Sequence, residues 1–266
     1  MSVHEEIREQ QKKLKGQGVK AHLQYFWDYY KIHTIVALAA IIFIVVLVKD
    51  VTNNKPYAFY ALMLNSYSSN AEEVLESEFT EYAGIDTTTS SCFIDTSVTY
   101  NTEIIDEVTI ATSQKIMANL SAAELDSMAA DQNTFAYYAH QDIFTDLRTI
   151  YDESFLNKYA DKLFYVDRGL VDYIASDAYQ DFLMNGSYDK DNKYAVMAAD
   201  IYATGQYPDT PVNEMDNPVP VGIIIDDSKV ITDNNLYQGS TPVVGIIANT
   251  TRLDNAKLFI EYLLNK

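Results

Sequence analysis

The residues that could carry chemistry in this chain are few. Of four histidines, His4 and His22 precede a long apolar run, His33 lies inside it, and His140 alone belongs to the body that follows. One histidine and one cysteine, Cys92, cannot build a His/Cys zinc site. His140 with Asp142 or Asp146 supplies part of a Ser-His-Asp set, but no G-x-S-x-G turn presents a nucleophile, and the plainer reading of His140 is a helix-end residue beside Phe144. The acidic pairs Glu124/Asp126, Asp189/Asp191 and Asp226/Asp227 are what a high density of carboxylates produces. The stretch from Asp189 to Asn192 lacks the glycine and the final glutamate of an EF-hand loop. Glycoside hydrolysis needs two carboxylates at a set separation across a cleft, which spacing in sequence does not give. No metal site and no cofactor are therefore expected. Catalysis is not expected either, with a carboxylate-dependent hydrolase as the minor alternative.

Binding chemistry is better represented. Of 21 tyrosines, all but Tyr25, Tyr29 and Tyr30 follow residue 49, and tyrosine offers apolar area with a polar tip. In parallel α/β folds ligands lie beyond the C-terminal strand ends. That rule selects Asn65, Ser66 and Tyr67 after a first strand, Asp95, Thr96 and Ser97 after a second, and Asp131 after a third, as residues that face a crevice. Turn and helix-cap chemistry is the competing reading for each.

The elements that position them follow from periodicity. Residues 57–64 (YAFYALML) suit a buried strand, 71–82 a helix stopped by Gly84, and 91–98 a second strand. A helix over 103–119, a short strand-like segment at 125–130 and a helix start after Asp131 continue the alternation, so three strands with crossovers predict a parallel sheet. Residues 146–215 are less regular. They contain a helix near 152–160, a strand at 163–166, a helix near 177–183 and a short run at 194–198. A proline-marked loop at 206–218 leads into strands at 219–225 and 241–248. An amphipathic C-terminal helix over 252–264 closes the chain, with Thr250 or Thr251 as its cap. No internal repeat is evident.

Charge and hydropathy divide the chain. Residues 1–31 hold six Lys/Arg against four Asp/Glu, whereas residues 49–266 hold thirteen against thirty-four. So acidic a body disfavours nucleic acid as a partner. Between them runs an uncharged apolar stretch that opens at Ile32 and closes at Val48, flanked by Tyr25, Phe26, Trp27, Tyr29 and Tyr30, an aromatic belt suited to the headgroup level. The excess of Lys/Arg before it predicts a cytoplasmic N-terminus and an exported body. No A-x-A-like cleavage site follows Val48, no cysteine stands there for lipid attachment, and a buried core helix would not need the aromatic belt. The expected organisation is a cytoplasmic segment at 1–31, a transmembrane helix at 32–48, a linker at 49–56 and an extracytoplasmic domain at 57–266. With one cysteine, no intrachain disulfide supports that domain.

The element order, with LDSMAAD and then FAYYAHQDIFTDL, resembles the first lobe of type 2 extracellular solute-binding proteins. Asp126, Asp131, Phe135, Ile143, Asp146 and Leu147 stand where that family has a short strand ending in an acidic residue, an aromatic-rich helix and an acidic-Leu step. The stretches VPVGIIIDDSKV and TPVVGIIANTTRLDNAKLFIEYLL are similar to its return strands and closing helix. The head, QYFWDYYKIHTIVALAAI, resembles membrane-tethered proteins of Gram-positive anaerobes. The resemblance implies an α/β fold of the periplasmic-binding-protein type, with a mainly parallel sheet and a second lobe reduced to what residues 146–215 can build. It further implies a non-catalytic module that binds a small solute or another envelope protein. A scaffolding subunit of an envelope or ABC-type transport complex is the alternative.

Overall fold

The computed structural model describes residues 18–53, 55–68, 70–101 and 106–266. Two compact units divide at Lys55/Pro56. Most of the expected cytoplasmic segment, residues 1–17, and the start of the helix expected from residue 103 lie outside the described residues.

In the first unit, helix α1 runs Val19–Asn53. Its stretch Tyr30–Lys49 has a mean hydropathy of 2.6 and no buried residue. Twenty residues rise about 30 Å, so the helix is long and apolar enough to cross a membrane, and a signal sequence has the same character. Phe26 stacks on Tyr30 at 5.6 Å between ring centroids. Residues 49–53, expected as linker, are helical, because Lys49 and Asp50 end an apolar run without breaking a helix.

The second unit is a mixed α/β fold around one six-stranded sheet. The strands are β1 (Tyr57–Met63), β2 (Ser91–Asp95), β3 (Ser127–Asp131), β4 (Leu163–Asp167), β5 (Pro218–Ile224) and β6 (Pro242–Ile246). Their spatial order is β2-β1-β3-β6-β5-β4. The first three strands are mutually parallel, as the crossovers require. The return strands β6, β5 and β4 add on antiparallel to one another, with β6 antiparallel to β3. Four of the six strands thus share one direction, and the parallel character belongs to the N-terminal half.

Strand β1 explains why its sequence reads as an unbroken apolar run: both its faces are covered. Phe59, Ala61 and Met63 point to a core shared with α2 (Glu72–Ala83) and the C-terminal helix α10 (Leu253–Asn265), where Phe59, Phe79 and Phe259 meet at 4.7 to 5.2 Å. Tyr60, Leu62 and Leu64 point to the opposite core, built with Ile116 of α3 (Glu107–Ser121) and Phe135 and Tyr138 of α4 (Gln132–Ala139). On that face Phe135 stacks on Phe144 at 4.3 Å, almost against the strand backbone. Gly245 permits this approach. A Cβ there would stand 2.8 Å from the Phe144 ring and 2.9 Å from the carbonyl oxygen of Val221.

Residues 146–215 add β4 to the same sheet and the helices α5 (Glu153–Lys158), α6 (Arg168–Ile174), α7 (Asp177–Asn185) and α8 (Lys193–Thr204). Among the described residues this stretch forms no sheet of its own, and part of it packs as a small helical layer around Leu170, Ala198 and Ile201. The run 194–198 lies inside α8, capped by Asn192 and ended by Gly205 at φ 68°. A short helix α9 (Lys229–Asp233) follows β5. Arg252 stands at the start of α10 without a side-chain cap of its own, and the Thr250 hydroxyl donates to Asp126 at 2.5 Å while its oxygen accepts the Arg252 amide at 3.0 Å.

Candidate functional site

The chain leaves the C-terminal end of β1 through two residues in the left-handed region, Asn65 at φ 59° and Tyr67 at φ 57°. Asparagine tolerates this conformation, whereas a bulky tyrosine rarely adopts it. Asn65 is buried and saturated. Its amide nitrogen donates its two hydrogens to the Tyr100 carbonyl at 2.8 Å and to Asp131 Oδ2 at 2.7 Å, with Thr134 Oγ1 sharing one of them at 3.1 Å. Its Oδ1 accepts the Tyr100 amide at 2.7 Å. One side chain therefore ties the end of β1 to the loop after β2 and to the start of α4.

Around this clamp lies an open cleft of about 590 Å³. Its walls comprise Asn65, Tyr67 and Asp131 with Thr99, Tyr100, Asn101, Asp106, Thr109, Asn133, Thr134 and Gln206, and Val108 is its apolar member. Asp131 caps α4 by accepting the Thr134 amide at 3.1 Å, and Asp106 caps α3 by accepting the Thr109 amide at 2.7 Å. Those bonds hold the Asp106 carboxyl below its usual range. Burial pushes the Tyr100 hydroxyl up to about 12. No Lys, Arg or His stands among the described residues of the wall.

Of the seven residues selected from the sequence, Asn65, Tyr67 and Asp131 come together at this cleft. Tyr67 is 75% exposed on its rim. Ser66 and Thr96 instead hold loops together. The Ser66 hydroxyl donates to the Thr96 carbonyl at 2.8 Å, and the Thr96 hydroxyl donates to the Ser68 carbonyl at 2.8 Å. Asp95 is buried and accepts Lys115 Nζ at 2.5 Å and the Ser97 hydroxyl at 2.7 Å. Ser97 lines a separate groove along α3 with Lys115. Thr99, Tyr100, Asn101, Asp106, Thr109, Asn133, Thr134 and Gln206 were not selected. Asp106 and Thr109 had a usable signal as a cap pair, whereas Gln206 comes from a loop far along the chain.

Burial alone would raise the Asp95 carboxyl, but the Lys115 and Ser97 bonds outweigh it and hold the group below its ordinary value. A depressed carboxyl contributes stability above its unfolded value of about 3.9 and loses it as pH falls through the folded value. Asp95→Asn is accordingly expected to flatten the acid limb of a melting-temperature profile. An unchanged acid limb would show that the Lys115 contact contributes nothing.

His140 lies outside the cleft. It is buried, its Nδ1 is 2.8 Å from the Ala136 carbonyl, and its ring stacks on Tyr207 at 4.8 Å. Burial lowers its proton affinity, so it is a neutral packing residue. Among the described residues no group of three or more His, Cys, Asp or Glu is placed to hold a metal ion.

No protein-family model and no curated protein sequence matches the chain. Solved structures with a similar layout are solute-binding proteins. One is the IdiA (FutA) protein of Trichodesmium in complex with iron and citrate, at 12% identity over 77% of this chain and 81% of that one, TM-score 0.33. Another is the ABC substrate-binding protein Lmo0181 from Listeria monocytogenes in complex with cycloalternan, at 13% identity over 79% and 75%, TM-score 0.33. A third is the periplasmic binding protein P5PA, at 13% identity over 78% and 80%, TM-score 0.29. Similarity this distant transfers no site residue, so the cleft is read from its own chemistry.

Proposed function

We propose that residues 56–266 form a non-catalytic module that binds a neutral, polyhydroxylated solute in the cleft beside Asn65, anchored by α1 with its N-terminus in the cytoplasm. The observation that carries this reading is the composition of the wall. Amides, hydroxyls, two tyrosines and two carboxylates provide donors and acceptors for hydroxyl groups, and among the described lining residues there is no cationic side chain to pair with an anion. Both carboxylates are committed as helix caps, and the low proton affinity of Asp106 is the opposite of what a general acid needs. The apolar stretch Tyr30–Lys49 supports the anchor, and the Lys/Arg excess before it supports the orientation.

The test is thermal unfolding of the full chain in detergent against neutral sugars, amino acids, carboxylates and phosphates. A ligand at 100 times its dissociation constant adds about 2.7 kcal/mol, which is readily seen as a rise in melting temperature. Neutral sugars are expected to raise it. Stabilisation by anionic solutes alone would overturn the reading.

A further inference from the structure

The cleft has a neighbour. A second groove of about 380 Å³ runs between α4, strand β4 and the loop after α8, and Asn133 and Gln206 line both spaces. The divide between them is a built feature. The Asn133 amide nitrogen donates to the Gly205 carbonyl at 3.1 Å, and its Oδ1 accepts the Tyr207 amide at 2.9 Å, which fixes the loop carrying Gln206 against the first turn of α4.

The walls of the two spaces differ in kind. The second presents two half-buried rings, Phe164 and Tyr207, together with Pro208 and Met215. Gln132, Asp209 and Thr210 add hydrogen-bonding groups, and again no Lys, Arg or His is among the described lining residues. Aromatic rings bordered by amides and hydroxyls match a sugar unit, which offers an apolar C–H face and a polar rim.

We infer that the binding site continues across the Asn133–Gln206 divide, and that its ligand is a neutral oligosaccharide with one end in the polar cleft and later units lying along the Phe164–Tyr207 wall. This inference rests on the sugar-binding reading of the first cleft. It adds that ligand length is read, and that residues outside that cleft read it.

Calorimetry on the full chain in detergent, with β-1,4- and α-1,4-linked glucose oligomers from monomer to hexamer, tests both levels. Affinity is expected to rise by about tenfold or more between the shortest binder and the tetramer. Val212→Asp, at an exposed position on the second groove, and Pro208→Asp are expected to abolish that gain while leaving the shortest binder unaffected. Affinity that does not change with length, or variants that weaken every length equally, would overturn the extension and leave the first cleft's role intact. Failure of every glucose oligomer, with other neutral sugars still stabilising the protein, would also overturn it. Failure of all neutral sugars would remove the underlying reading and the extension together.

Discussion

Replacing Asp126 by alanine is expected to destabilise the protein by about 3–5 kcal/mol, as for other broken buried ion pairs. Asp126 is fully buried and accepts from the Tyr60 amide at 2.8 Å, from the Thr250 hydroxyl, and from Arg252 Nε at 2.8 and 3.0 Å. Its removal strands a largely buried guanidinium, an amide of the central strand and a hydroxyl together. Much of the cost therefore arises from what is left behind. Arg252→Met in the same chain is then expected to recover part of the loss, since the pair is replaced by apolar volume. Chemical denaturation followed by near-ultraviolet circular dichroism measures both variants. A loss below about 1 kcal/mol for Asp126→Ala would mean that the pair is not coupled to folding.

Asn65→Ala is the second large effect, with an expected loss of about 3–4 kcal/mol. About 1–2 kcal/mol comes from placing alanine in the left-handed region, and the rest from leaving the Tyr100 amide and Asp131 without their partner. Asn65→Gly removes the conformational part alone and should recover about 1 kcal/mol. Neither variant is expected to bind sugar, because the clamp positions Tyr100 and Asp131 on the cleft wall. Unfolding curves and sugar-induced melting shifts on the same samples separate the two consequences. Full binding by Asn65→Gly would show that the wall is positioned without the clamp.

Much of the scaffold was legible in the sequence because its signals are local. Alternation between strand and helix patterns, Gly84 after α2 and the apolar face of α10 are written within short windows. The parallel trio followed from crossover length. The direction of the return strands was not legible in the same way, because loops such as the one between β5 and β6 fit more than one topology. Thr250 was a reasonable cap by residue type, and its oxygen does accept the Arg252 amide, but its tie to a buried carboxylate over a hundred residues away is written in no local window. The cleft shows the same division. Asn65, Tyr67 and Asp131 followed from the rule for parallel strand ends, whereas Ser66 and Thr96 serve loop backbones, as turn chemistry permits. Asn133 and Gln206 meet only because a helix cap and a distant loop pack together, which no spacing encodes.

The place of β6 in the sheet has a consequence for how the protein is made. Strands β2, β1 and β3 are synthesised early, and β5 and β4 pair with each other, but only β6 joins the two groups. Until residues 242–246 leave the ribosome, β3 pairs with β1 on one side only, and the backbone of Met128, Ala129 and Ala130 has no strand partner on the other. Completion of the sheet therefore waits for the strand that comes last in sequence order, and the nascent domain carries an aggregation-prone edge from the making of β3 until β6 appears.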